Sequence, residues 1–70
     1  IREPDFIISD LMKEHKGLFE KFYSINAEGD AEVFLEEIAK RNHFFVKKGK
    51  PDIDRAARLV LKVWQKGEIK

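Results

Sequence analysis

Apolar side chains recur three and four positions apart along most of the chain, a spacing that lines one face of an α-helix. Near the start, Pro4 and Asp5 favour helix initiation, because proline fits the first turn and an early carboxylate suits the positive end of the helix dipole. The apolar face that follows is formed by Ile7, Ile8, Leu11, Met12 and His15. This pattern predicts a first helix over residues 3–15.

Gly17 interrupts the apolar face, which then continues in phase with Leu18, Phe19 and Phe22. Glycine costs about 1 kcal/mol inside a helix relative to alanine. We therefore expect a bend at Gly17, followed by a short second helix over residues 17–23.

A third helix is predicted over residues 30–42. Asp30 is well placed as its N-cap, and its inward face is expected to contain Phe34, Leu35 and Ile38. On its other side, carboxylates precede cations by four residues, a spacing that favours ion pairs on a helix surface. The expected pairs are Glu36 with Lys40 and Glu37 with Arg41.

The clearest amphipathic run predicts a fourth helix over residues 52–66, ending near Gly67. Its apolar positions are Ile53, Ala56, Ala57, Val60, Leu61 and Trp64, and Trp64 is expected in the core. Residues 43–51, with the sequence HFFVKKGKP, have no acidic side chain, and both Gly49 and Pro51 oppose helix continuation. We call residues 43–51 the basic loop. The predicted architecture is all-α, a compact bundle of about four helices.

Charge is divided unevenly between the two halves of the chain. Residues 1–39 hold four of the 14 Lys and Arg and ten of the 13 Asp and Glu, whereas residues 40–70 hold the other ten cations and three carboxylates. The halves therefore carry −6 and +7, which the overall charge of +1 conceals. A concentrated positive surface favours a polyanionic partner, because each phosphate that meets Lys or Arg releases a condensed counterion.

Size and composition narrow the class of protein. Seventy residues predict a single domain near the lower limit for a self-sufficient core, and the absence of Cys excludes disulfides and thiolate metal sites. No run approaches the roughly 18 apolar residues of a membrane span, and no signal-peptide pattern is present. Since the chain begins with Ile1 instead of Met, we expect residues 1–70 to be a domain excised from a longer protein.

The cations of the second half supply the candidate binding residues. On the fourth predicted helix they recur at spacings of three, four and four, on the side opposite Ile53, Ala57 and Trp64. If the basic loop folds back, they join the others in one surface that could follow a phosphate backbone. The full candidate set is Lys40, Arg41, Lys47, Lys48, Lys50, Arg55, Arg58, Lys62 and Lys66. The same pattern is equally compatible with an ordinary solvated helix face.

Phe44 and Phe45 lie within the basic loop, and aromatic rings among cations can stack on unpaired bases. Because phenylalanine is usually buried, the sequence favours a role for both rings in anchoring the loop to the bundle, with one ring partly exposed. His15 and His43 are interpreted as a packed and a helix-terminal histidine, since a zinc site needs several convergent donors.

Catalytic signals are absent from the sequence. Ser9 and Ser24 have no nearby histidine base, and Lys48, Gly49 and Lys50 lack the glycine spacing and the hydroxyl residue of a phosphate-binding loop. We therefore expect no enzyme site, no metal site and no cofactor site in these residues.

Several segments resemble, in order, the C-terminal helical domain of circularly permuted ribosome-assembly GTPases of the RbgA/YlqF and nucleostemin type. Residues 49–61 have the sequence GKPDIDRAARLVL and residues 64–69 have WQKGEI. Upstream, residues 34–41 (FLEEIAKR) are similar to the family's penultimate helix and residues 23–25 (YSI) to its Tyr-Gly-Ile turn. Arg2 to Asp5 resemble the segment just after the GTPase domain.

The resemblance implies an RNA-binding appendage that helps a GTPase dock on ribosomal RNA of the immature large subunit. GTP and magnesium then belong to the parent protein, whose GTPase domain would be a partner in cis; the implied location is cytoplasmic, or nucleolar in a eukaryote. The cations implied to face RNA are Lys47, Lys50, Arg55, Arg58, Lys62 and Lys66. The chain departs from the family at Lys48-Gly49, where paired glycines are common, and at Val63, where nucleostemin-like members tend to place an acidic residue.

The alternative function is a helical protein-protein or interdomain module without intrinsic RNA affinity. Its acidic half would meet a basic partner, or its Leu59 and Val63 edge would pack against the GTPase domain.

Overall fold

Four helices account for most of residues 4–69, the part of the chain that the computed structural model describes. They are α1 (Pro4–Glu14), α2 (Leu18–Tyr23), α3 (Ala31–Arg41) and α4 (Ile53–Gln65). The predicted all-α class is confirmed, and each helix begins and ends within about a residue of its predicted limits. Residue 3, where the first helix was predicted to start, and Arg2 and Glu3 of the resemblance lie outside the described residues.

The bend predicted at Gly17 is present. Its backbone is left-handed, with φ 75°, a conformation that glycine adopts without steric cost. α1 therefore ends before it, and α2 begins immediately after, with Lys21 N–H donating to the Gly17 carbonyl at 2.9 Å. Two helices form where an uninterrupted apolar stripe would have given one.

Aspartates cap the two long helices that follow. The Asp30 carboxylate accepts from the backbone N–H of Glu32 at 2.9 Å and of Val33 at 3.4 Å, as its predicted N-cap role requires. Asp52 accepts from the Arg55 N–H at 3.1 Å. Each cap satisfies donors that have no partner within the first turn, an effect typically worth about 1 kcal/mol.

The core lies where α1, α3 and α4 pack against one another. Its largest fully buried side chains are Phe19, Phe34, Ile8, Leu35, Ile38 and Val60. α2 contributes Phe19, whose ring stacks on Trp64 with centroids 5.3 Å apart and meets Phe34 edge-on at 6.3 Å. Trp64 was expected in the core; it packs against the core and is half-buried. Helix α4 thus packs its apolar side against the rest of the bundle, and its opposite side faces solvent.

Candidate nucleic-acid interface

Helix α4 separates an apolar face from a cationic one. Ala56, Ala57 and Val60 are fully buried, whereas the predicted stripe of Arg55, Arg58, Lys62 and Lys66 is exposed along its length. The stripe follows from helical geometry, since residues three and four apart share a face. From Arg55 to Lys66 it extends about 16 Å at 1.5 Å per residue. That length is sufficient to follow several consecutive phosphates of a nucleic-acid strand.

The basic loop is closed by backbone hydrogen bonds. Val46 N–H donates to the Lys50 carbonyl at 2.8 Å, and Asp52 N–H donates to the Phe44 carbonyl at 2.9 Å. An isolated antiparallel bridge joins Phe45 to Pro51, and a short 3₁₀ turn spans Lys47–Gly49 at the tip. The loop is therefore a tight hairpin-like turn, and Lys47, Lys48 and Lys50 are all exposed on it.

One contact joins the basic loop to α4. The Arg55 guanidinium carbon lies 4.3 Å from the centroid of the Phe44 ring, within the range of a cation–π interaction. Phe44 is half-buried and packs against the core, as expected of a loop anchor. The first cation of the helical stripe and the loop that carries three lysines are thus held side by side.

Arg58 pairs with Asp54, Nη2 to Oδ2 at 2.9 Å, one turn earlier on α4. Both side chains are largely exposed, and an exposed pair at this spacing contributes only about 0.3–0.5 kcal/mol. A phosphate could therefore replace Asp54 as the partner of Arg58 at little cost.

Arg41 has a structural role that the sequence did not reveal. Its Nη1 donates to the Tyr23 carbonyl at 2.6 Å and its Nη2 to the Ser24 carbonyl at 3.3 Å. These bonds cap the C-terminal end of α2, where carbonyls lack helical partners. The predicted ion pair between Arg41 and Glu37 is wrong, because the Arg41 guanidinium donates to these carbonyls instead. The predicted ion pair between Lys40 and Glu36 is also absent from the described part of the chain.

The candidate cations lie in the basic loop, on α4 and at the end of α3. The loop lysines and the α4 stripe are connected through Arg55 and Phe44. Lys40 and Arg41 lie at the end of α3. Lys40 is exposed, and the Arg41 guanidinium is hydrogen-bonded to the end of α2.

The two histidines occupy the predicted kinds of position. His15 is half-buried, with its ring centroid 5.0 Å from that of Trp64. His43 is exposed just after α3 and has a left-handed backbone, with φ 58°.

A groove on the acidic side was missed by the sequence analysis. It has a volume of about 480 Å³ and is lined by Phe6, Ser9, Asp30, Ala31, Glu32, Leu35 and Ile53. Phe6 is 59% exposed. It precedes the apolar face of the first predicted helix and does not belong to it. Its position next to the acidic start of α3 depends on helix packing, which the spacing of residues does not specify.

Within residues 4–69, none of the helices combines the length and the apolar character needed to cross a bilayer.

No protein-family model matches the chain, and no solved structure matches it significantly. The sequence is 37% identical over 71 aligned residues to the guanine nucleotide-binding protein-like 3 homolog of Drosophila melanogaster. The alignment covers the whole of this chain but only 12% of that relative. The chain is therefore similar, from end to end, to a short part of a much longer relative.

Proposed function

We propose that the chain is an RNA-binding helical domain of a ribosome-assembly GTPase, and that it docks the enzyme on large-subunit ribosomal RNA. The contact between Arg55 and Phe44 carries this proposal, because it holds the first cation of the α4 stripe against the start of the basic loop. The similarity to a guanine nucleotide-binding protein supports a GTPase parent. GTP turnover is assigned to that parent and not to these residues.

Binding would proceed through phosphates. Lys47, Lys48 and Lys50 would meet the backbone at the loop, while the α4 cations continue along it. Contacts of this kind position a protein on RNA without reading sequence, and each releases a counterion from the nucleic acid. Arg58 would exchange Asp54 for a phosphate. The expected ligand is therefore structured ribosomal RNA, bound with strong salt dependence.

Charge reversal on α4 tests the proposal. Arg58→Glu/Lys62→Glu should weaken binding to a large-subunit ribosomal RNA fragment by on the order of tenfold for each phosphate left without its cation, at about 0.1 M salt. Circular dichroism should show unchanged helicity, because both side chains are exposed. The matched control is Lys13→Glu/Lys16→Glu, which changes the net charge equally at two exposed positions in the acidic half. Equal affinity of both double variants would defeat the assignment.

A second candidate function is favoured by the acidic groove. Leu35 and Ile53 supply an apolar lining, and Asp30 and Glu32 supply negative charge, a combination suited to a basic protein segment. The alternative edge at Leu59 and Val63 is less available, because both side chains are half-buried against the core. Pulldowns from nuclease-treated and untreated extract separate the two functions. Partners that survive nuclease favour protein binding, and partners that disappear with the RNA favour the basic surface.

A further inference from the structure

The basic loop exposes two apolar side chains among its cations. Phe45 is 47% exposed and Val46 is 46% exposed, immediately before Lys47. Single exposed apolar residues are common on protein surfaces. Here, however, an aromatic ring is presented within a segment that has no acidic residue.

The local backbone explains why one phenylalanine is anchored and the next is not. On a paired, extended backbone, successive side chains point to opposite faces. Phe44 packs on the core beneath Arg55, and Phe45, which pairs with Pro51, takes the opposite side. The sequence favoured anchoring for both rings with one partly exposed, and the structure identifies Phe45 as the exposed ring.

The ring is presented by an ordered turn. Hydrogen bonds from Val46 to Lys50 at 2.8 Å and from Gly49 to Val46 at 3.2 Å close the loop tip beside it. A side chain held on a closed turn loses little backbone freedom when it binds a ligand. This geometry suits a rigid contact surface.

We propose that Phe45 is a stacking platform for an unpaired base. This inference rests on the proposed RNA-binding function. The ligand is then RNA that has a bulged or looped-out nucleotide beside a helical stretch. α4 follows the phosphates of the helical stretch while Phe45 takes the face of the free base. Consecutive Cα atoms are only about 3.8 Å apart, so the Cα of Phe45 adjoins that of Phe44, whose own ring meets Arg55.

An unpaired base fits this arrangement better than an uninterrupted duplex. Within a duplex both faces of every base are covered by its neighbours, whereas sequence-tolerant stacking on aromatic side chains is typical of single-stranded RNA. Phosphate contacts alone would need the lysines but not the ring. The cations around Phe45 supply charge complementarity to RNA, which a purely apolar partner would not satisfy.

The test compares two RNA hairpins that differ only by one bulged 2-aminopurine nucleotide, whose fluorescence is quenched on stacking. The 70-residue chain should bind the bulged RNA more tightly and quench it. Phe45→Ala should reduce affinity for the bulged RNA by on the order of tenfold, abolish the quenching, and leave binding to the uninterrupted hairpin nearly unchanged. Phe45→Leu, which keeps an apolar side chain but no ring, should behave in the same way. Phe22→Ala is the matched control, because Phe22 is 45% exposed on α2, and it should change neither affinity.

The outcomes separate this inference from the function on which it rests. If both hairpins bind equally with steep salt dependence, or if Phe45→Ala weakens both alike, the stacking role is overturned and RNA binding stands. If Phe45→Ala instead abolishes self-association, the ring is a contact between copies of the chain and the inference is again overturned. If neither hairpin binds, both the inference and the proposed function fail.

Discussion

At the scale of single residues, four described residues other than glycine have backbone conformations that favour glycine: Ser24, Glu28, His43 and Lys48. Ser24 has φ 57° and Lys48 has φ 70°, both in the left-handed region. The resemblance places glycine at both sites, in a Tyr-Gly-Ile turn and in a glycine pair. The left-handed conformation costs a residue with a Cβ about 1 kcal/mol or more. The turns at Ser24 and Lys48 therefore carry backbone strain of about this size. At Lys48 the strained residue adds a cation to the loop tip.

Ser24→Gly should therefore stabilise the protein. Relief of the left-handed strain outweighs the greater freedom that glycine gives the unfolded chain, leaving a net gain of about 0.5–1 kcal/mol. Urea denaturation followed by circular dichroism measures it. As a control, Ser9→Gly within α1 should reduce stability by about 0.5 kcal/mol. A decrease in stability for Ser24→Gly would show that the Ser24 side chain is needed in the turn.

Tyr23 predicts a pH dependence at the alkaline end. Burial raises the pKa of its hydroxyl, and the Glu68 carboxylate raises this pKa further. The folded protein thus favours the neutral hydroxyl. The contribution of Tyr23 to stability is therefore complete below its unfolded pKa of about 10, and it is lost as pH rises through the higher pKa of the folded state. Tyr23 is the sole tyrosine, so tyrosinate absorbance reports it alone. Glu68→Gln should lower the pKa only in part, because burial is the larger cause. A titration identical to that of the unfolded chain would contradict this account.

At the scale of secondary structure, the helices and the position of the basic loop could be predicted from the sequence, whereas the conformation of the loop could not. Local signals such as Asp30 and Gly17 determine where helices start and bend, and these signals are visible in the sequence. The loop conformation depends on pairing between Phe45 and Pro51, and the choice of Phe44 as anchor depends on Arg55 lying across it. Likewise, the partner of Arg41 is an end of α2 that lies 17 and 18 positions away in sequence. Periodicity carries no information on such contacts.

Helix α4 owes its close approach to α1 and α3 to small side chains. Ala56 and Ala57 are fully buried. Ala57→Leu should destabilise the protein by about 1–3 kcal/mol, because a larger side chain overpacks the contact. Gln65→Leu is the control, since Gln65 is exposed near the end of the same helix, and its effect should lie within about 0.5 kcal/mol. Comparable urea midpoints for the two variants would mean that α4 packs loosely.

At the scale of the whole molecule, the uneven charge of the sequence is reflected in the packing of α4. The chain is compact, with a radius of gyration of 11.3 Å, close to the roughly 11 Å expected for its length. α4 packs its apolar side on α1 and on α3, whose residues up to Ala39 belong to the acidic half, and exposes its cations away from them. The stripe on α4 could be predicted from spacing alone. The contact of Arg55 with Phe44 in the basic loop, and the hydrogen bonds of Arg41 to the end of α2, could be established only from the packing.

The salt dependence of RNA affinity shows whether the α4 cations meet phosphates. Binding of a structured ribosomal RNA fragment is measured across a series of salt concentrations for the wild-type chain, for Arg58→Gln/Lys62→Gln, and for Lys13→Gln/Lys16→Gln. The account predicts a steep decline for the wild type, a log-log slope shallower by about 1.4–1.8 when the two α4 cations are neutralised, and an unchanged slope when the two acidic-half lysines are neutralised. Equal slopes for the two double variants would contradict it, because the α4 stripe would then meet no phosphates.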